Sequence, residues 1–310
     1  MDDFTVRTDL ALEAREAAVG RGIEDDGVLV DDYTVHGVKV SRVLVTGEAG
    51  KKLTGREPGQ YYTMDFGHVG TLDWEHYSAA IDALADCLRR LLPKGTQSVA
   101  VAALGNRHIT ADAIGPEALD NIIVTRHIKD REAEVFRASG MGDVAGIAPG
   151  VLGQTGIESA EIIRGMVAQI RPDAVIAIDS LASRRLERLA TTLQLSDTGI
   201  APGAGIGNRR AALNQQTLGV PVIAIGIPTV VDIATLAYDV IVDVYHDAGH
   251  EPVDKKLLTE TLRTHSLDYF VTPKDCDVLV SEVARMIGYA VNRVFHGEIS
   301  YEEMGRYVLN

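Results

Sequence analysis

Two aspartates stand where the chain's chemistry can be read first. Asp112 lies within Ser98–Pro116 (SVAVAALGNRHITADAIGP), soon after the apolar run Ser98–Leu104. Asp179 closes a second apolar run, Ala174–Asp179 (AVIAID). Short runs rich in Val, Ile and Ala read as strands covered on both faces. In parallel α/β sheets, ligands and reacting groups collect at the carboxyl ends of strands. If these two strands are neighbours, both carboxyl groups reach one edge of the sheet. Two carboxyl groups held close do not both ionise cheaply. One keeps a proton and acts as an acid, while the other takes a proton from water. That is hydrolysis of a peptide or ester without a covalent intermediate. An aspartate after a strand also serves as a helix cap or turn former, so the pattern alone leaves both roles open.

Other residues offer weaker chemistry. His108 and His127 lie near Asp112 in sequence, and an Asp/His/Glu set is a zinc-ligand chemistry. No HExxH or close histidine pair is present, so a surface or core histidine accounts for each. Gly203, Gly205 and Gly207, followed by Arg209 and Arg210, suggest a phosphate loop, but they fit neither GxGxxG nor GxxxxGK[ST]. A tight turn beside the site, or a backbone approached by an extended peptide substrate, fits as well, and its amides are candidate donors to an oxyanion. Cys87 and Cys276 have no cysteine or histidine signature around them and read as packing residues. Ser180 follows Asp179 but sits in no GxSxG elbow.

The elements that must position these groups follow from periodicity. Alternation from Val38 to Val45 and the run Gln60–Phe66 predict strands. Apolar residues at helical spacing predict helices over Glu75–Leu92, Gly156–Ile170 and Asp277–Phe295. A helix is expected from Pro116 to about Ile123, and strands at Val124–Ile128, Thr192–Leu195 and Val220–Ile225. Thr229–Tyr245 reads as helix running into strand. Residues 138–157 carry Gly140, Gly142, Gly146, Gly150, Gly153 and Gly156 and read as a long flexible loop. Gly47–Gly59 reads as turns. The acidic stretch up to Asp32 reads as a loosely docked entry segment. Strands alternating with helices predict a mainly parallel sheet with helices on both faces, plus added peripheral elements.

Composition narrows the partners. The chain has 310 residues and a formal net charge of -14. That balance opposes a nucleic-acid partner, whose phosphates it would repel. Two distant cysteines exclude a disulfide framework and suit a reducing cytosol. The acidic start MDDFTVRTDL is not a signal peptide, and no apolar run approaches a membrane span.

Four blocks, RTDLALEA, LGNRHITADAIGP, AIDSLASR and SDTGIAPGAGIGNRR, occur in order along nearly the whole chain. Together they resemble germination protease, the spore endopeptidase of spore-forming Firmicutes. The LGN…D…GP loop alone is shared in outline with hydrogenase-maturation endopeptidases, whose fold the resemblance implies. It further implies a homotetramer that degrades small acid-soluble spore proteins in the spore core. The enzyme is made as a zymogen in the developing forespore and removes its own N-terminal segment. By motif position the two essential aspartates of an aspartic-type peptidase fall on Asp112 and Asp179, with no cofactor and no metal. The family cuts after an acidic residue that precedes an apolar residue and Ala. Thr8-Asp9-Leu10-Ala11 has that form, so Asp9–Leu10 is the expected processing bond. Residues 1–9 are then the propeptide, and 10–310 a single peptidase domain. Two alternatives are a metal-assisted endopeptidase of the hydrogenase-maturation type and a nucleotide-binding α/β protein that is not an enzyme. A shared proton on Asp112 and Asp179 also predicts faster conversion in mild acid.

Overall fold

The computed structural model describes residues 8–19, 26–201, 211–249, 258, 261–262, 269–297 and 299–308. Nine described strands form one sheet: β1 (Val28–Val35), β2 (Val38–Val45), β3 (Gly59–Asp65), β4 (Ser98–Ala103), β5 (Asp143–Ile147), β6 (Ala174–Ser183), β7 (Thr192–Ser196), β8 (Val222–Asp232) and β9 (Phe270–Val271). Their order is β1-β2-β3-β7-β8-β6-β4-β5, with β9 beside β8. The strands β5, β4, β6 and β8 are parallel. All the remaining pairs are antiparallel. The sheet is therefore mixed rather than mainly parallel. Alternation of strand and helix holds only in the middle of the chain. At its start, β1 and β2 form a hairpin across His36 (φ 48°) and Gly37 (φ 81°), the two-residue turn with positive φ that suits twisted strands.

Helices cover both faces. They are α1 (Ala11–Val19), α2 (Gly47–Thr54), α3 (Trp74–Leu91), α4 (Ile114–Asp120), α5 (Arg126–Arg131), α6 (Ala133–Ser139), α7 (Leu152–Thr155), α8 (Ser159–Ile170), α9 (Gln215–Leu218), α10 (Ile233–Asp247), α11 (Cys276–Phe295) and α12 (Tyr301–Val308). One face of β4, β6 and β8 (Val99, Val101, Ile176, Ile178, Ile223, Ile225) packs with α3, α4 and α11. The other face (Ala100, Ala102, Val175, Ala177, Val222) packs with Ala160, Ile163 and Val167 of α8. Covering on both sides explains why these strands read as continuous apolar runs. A smaller cluster joins Ala11 of α1 to Val28, Val43, Val45 and Tyr61.

Several expectations change here. Val124–Ile128 is not a strand, since α5 begins at Arg126. The expected loop 138–157 contains β5 and α7. Gly47–Gly59 contains α2. In Thr229–Tyr245 the order is reversed, strand first and then helix. The entry segment is not loosely docked over Thr8–Val19, because Asp9, Leu10, Ala11 and Glu13 are buried. Gly203, Gly205 and Gly207 lie outside the described residues.

Gly115 sets how closely the loop after β4 meets the sheet. A Cβ at this position would stand 2.2 Å from the Leu104 carbonyl oxygen and 2.8 Å from that of Ile178. Both are backbone atoms and cannot swing away. Gly115→Ala is expected to destabilise the protein by about 1–3 kcal/mol, the usual cost of overpacking. The check is a lower urea midpoint at unchanged slope; an unchanged midpoint would contradict this packing.

Candidate active site

Both aspartates lie beyond the end of β4: Asp112 in the turn Thr110–Asp112, and Asp179 on β6 just past the last β4–β6 pair, Ala103 with Ile178. Leu104 N–H donates to the Ile178 carbonyl at 2.8 Å, carrying the β4–β6 pairing to its last residue. Gly105 (φ 110°) then turns the chain, and a Cβ there would lie 2.0 Å from the Asp112 carbonyl oxygen. Only glycine fits this contact without strain. Asn106 N–H donates to the Asp112 carbonyl at 2.9 Å and to its Oδ2 at 2.8 Å. The turn carrying Asp112 is also tied to β8, where the Thr229 hydroxyl donates to the Ala111 carbonyl at 2.6 Å.

Asp179 lies on β6, in the same alternating series as Val175 and Ala177. It is 5% exposed, and its Oδ1 accepts from Ser180 N–H at 2.9 Å. In register beside it is Gly226 of β8, and beside Gly226 is Gln194 of β7. A Cβ on Gly226 would meet the Leu181 side chain at 2.3 Å. Glycine thus leaves the space that Leu181 fills between Asp179 and Gln194. Asp112 and Asp179 both line one cavity of about 710 Å³. Gln194, Arg56, Thr229 and Asp9 line it too.

The presence of Asp9 in that cavity was not legible from spacing. Its N–H donates to the Ala182 carbonyl at 2.7 Å, and its Oδ2 accepts from Ala182 N–H at 2.9 Å. Ala182 lies three positions beyond Asp179 on β6, roughly 10 Å of strand. Gln194 spans the bond that follows Asp9. Its Nε2 donates to the Asp9 carbonyl at 3.2 Å, and its Oε1 accepts from Ala11 N–H at 2.7 Å. Arg56 stands 3.8 Å from the Asp9 carboxylate and donates to the Thr8 carbonyl. Arg56 Nε and Ser180 Oγ are among the buried polar atoms that have no hydrogen-bond partner among the described residues.

Gln194 did leave a trace in the sequence. In Thr192–Ser196 (TLQLS) the leucines pack into the core, while the three polar residues, all buried, share the other face. Arg56 sits in a turn-rich stretch and left none. His108 and His127 are both exposed, on different elements. No group of three or more His, Cys, Asp or Glu converges to hold a metal among the described residues. Cys87 is buried in the core and its thiol is pushed up to about 11, which suits packing and not nucleophilic work. No described helix is long and apolar enough to cross a membrane.

Burial raises the pKa of Asp9, against the opposing pull of Arg56 and the Ala182 N–H. Burial also raises Glu13, against the donors around its carboxylate. A carboxyl group whose docked pKa lies above its free value takes up a proton on docking. Docking is then favoured at low pH and weakens as pH rises through the raised values. Hydrogen exchange at the Leu10 and Ala11 amides, corrected for intrinsic rate, should show protection falling from mildly acidic to neutral pH. Protection that is flat or grows over that range would contradict the assignment.

Comparison with known proteins follows the same lines. A sequence profile described as germination protease matches residues 7–256. The germination protease of Caldanaerobacter subterraneus subsp. tengcongensis is 40% identical over 97% of this chain and 97% of its own length. That of Clostridium tetani is 39% identical over 98% of this chain and all of its own length. That of Priestia megaterium is 33% identical over 99% and 98%. Matched by that profile over most of its length and by such relatives nearly end to end, the chain belongs to the germination protease family, whose members are hydrolases that cut proteins.

Proposed function

We propose that this chain is an aspartic-type endopeptidase, made as a zymogen, that cuts its own Asp9–Leu10 bond and then degrades small acid-soluble spore proteins at germination. One observation carries the reading most. Thr8–Ala11 has the acidic–apolar–Ala form of the family's cleavage site, and Asp9 of that segment lies in the cavity lined by Asp112 and Asp179.

The mechanism follows from the groups present. Asp112 and Asp179 share one proton. The ionised partner takes a proton from a water, and that water attacks the carbonyl carbon of the acidic residue. The protonated partner then gives its proton to the leaving nitrogen. Arg56 reads the acidic side chain, and the Ser180 hydroxyl, next to Asp179 and without a partner among the described residues, is a donor for the developing oxyanion. Latency has a local cause in this reading. The Asp9 carbonyl is held by Gln194, and Asp9 is anchored three residues beyond Asp179. Conversion requires that carbonyl to leave Gln194 for the two carboxyl groups. Residues 1–9 are then the propeptide of one peptidase domain. A homotetramer belongs to the same reading. Val240, Val244 and Tyr245 on α10 expose apolar side chains that a second copy would cover.

The test uses the converted chain and peptides carrying TDLA or TNLA. Asp112→Asn and Asp179→Asn are each expected to lower kcat/KM by roughly 10²–10⁴-fold, with melting temperature retained. The TDLA peptide should be cut faster than TNLA, and Arg56→Gln should narrow that gap. Full cleavage by Asp112→Asn, or an equal rate on both peptides, would overturn the reading.

A further inference from the structure

Glu13 stands near the start of α1 and is fully buried. Its carboxylate accepts from the Thr8 hydroxyl at 2.5 Å and from the backbone N–H groups of Arg184 at 2.7 Å and Arg185 at 3.2 Å. Arg188 Nε stands 3.3 Å away, and Arg188 also pairs with Glu16. The Thr8 hydroxyl has a second role, accepting from Leu10 N–H at 3.1 Å. One hydroxyl therefore stands between the Leu10 nitrogen and the Glu13 carboxylate. That nitrogen is the one that hydrolysis of Asp9–Leu10 sets free.

We propose that Glu13 is a preformed receptor for the α-ammonium group that cleavage creates on Leu10. The inference rests on the processing bond proposed above. Hydrolysis breaks the Asp9 carbonyl–Leu10 nitrogen bond and adds one water. At neutral pH the products are a carboxylate on Asp9 and an ammonium on Leu10. Thr8 leaves with the released segment, so the buried carboxylate loses its hydroxyl donor. The new ammonium carries three donors and no acceptor. It takes the place of the hydroxyl and brings a full charge to a site shielded from water, where an ion pair counts for more than at the surface. Arg188, already near Glu13, opposes this by repulsion and lends its charge to Glu16 as well. The consequence reaches the reacting groups. Arg184 and Arg185, whose amides Glu13 holds, directly follow β6, the strand that carries Asp179. Arg184 also joins Asp239 of α10 through two hydrogen bonds of 2.6 Å. Cleavage would thus exchange a neutral latch at the end of β6 for a charged one.

The test does not depend on self-cleavage. A full chain is made in which residues 4–9 are replaced by the recognition sequence of a site-specific protease, then folded and cut. One version leaves Leu10 first, and a second leaves one extra glycine before it. The Leu10 form should melt roughly 3–6 °C above the glycine form, and the difference should vanish when both carry Glu13→Gln. The pKa of the Leu10 α-amine, read from the pH dependence of its acylation, decides the matter even if Glu13→Gln fails to fold. Pairing with Glu13 places that pKa above the ordinary α-amine range of about 7.7–8.0, whereas burial without a partner places it below. Equal melting of the two forms, a difference that survives Glu13→Gln, or a lowered amine pKa would overturn the proposal. Failure of the unaltered chain to cut itself would count against the processing bond and leave these readings intact.

Discussion

The two hydrogen bonds between Asp9 and Ala182 join the start of the chain to the strand that carries Asp179. The site depends on that junction. It places the acidic side chain of Asp9 in the cavity lined by Asp112 and Asp179. It buries Leu10, and it brings Glu13 against the backbone that follows β6. Buried carboxyl groups are costly unless donors surround them. Here the donors are backbone amides at the end of β6, freed because the strand outruns its neighbour β4. The loss of pairing that ends a parallel ladder becomes the means of holding a ligand.

The parallel half of the sheet was legible because its strands are covered on both faces. Val99–Leu104 and Ala174–Ile178 carry apolar residues at every position; Asp179 follows the second directly, and Asp112 comes after the first by way of a loop. The long helices α3 and α11 were legible from helical spacing. The antiparallel half was not. In β1, Asp31, Asp32 and Thr34 are exposed on an edge strand, so its sequence reads as a charged loop. In α2, Gly50 is required because a Cβ would lie 2.2 Å from the Gly27 carbonyl oxygen, yet glycine in sequence signals a turn. Strand β5 owes its place to pairing with β4, not to its own short sequence, DVAGI.

The site was legible to the same degree. Asp112 and Asp179 stand out in the sequence as carboxylates after apolar runs, although the strand that holds Asp179 runs on to Ser183. Arg56 and Gln194 do not, because they reach the cavity from the half of the sheet whose order the sequence hid. Glu13 looked like one acidic residue among many in a helix-forming stretch, and its partners, apart from the nearby Thr8, come from the distant residues Arg184, Arg185 and Arg188.

The family assignment makes the chain a protease, and the docking of Asp9 in the cavity lined by Asp112 and Asp179 is what the proposal of self-cleavage rests on. The most direct measurement is the intact mass of the purified chain after incubation in mild acid, beside Asp179→Asn under the same conditions. The account predicts that the native chain loses Met1–Asp9 and that the variant keeps it. Loss of the segment from Asp179→Asn at the native rate would contradict it.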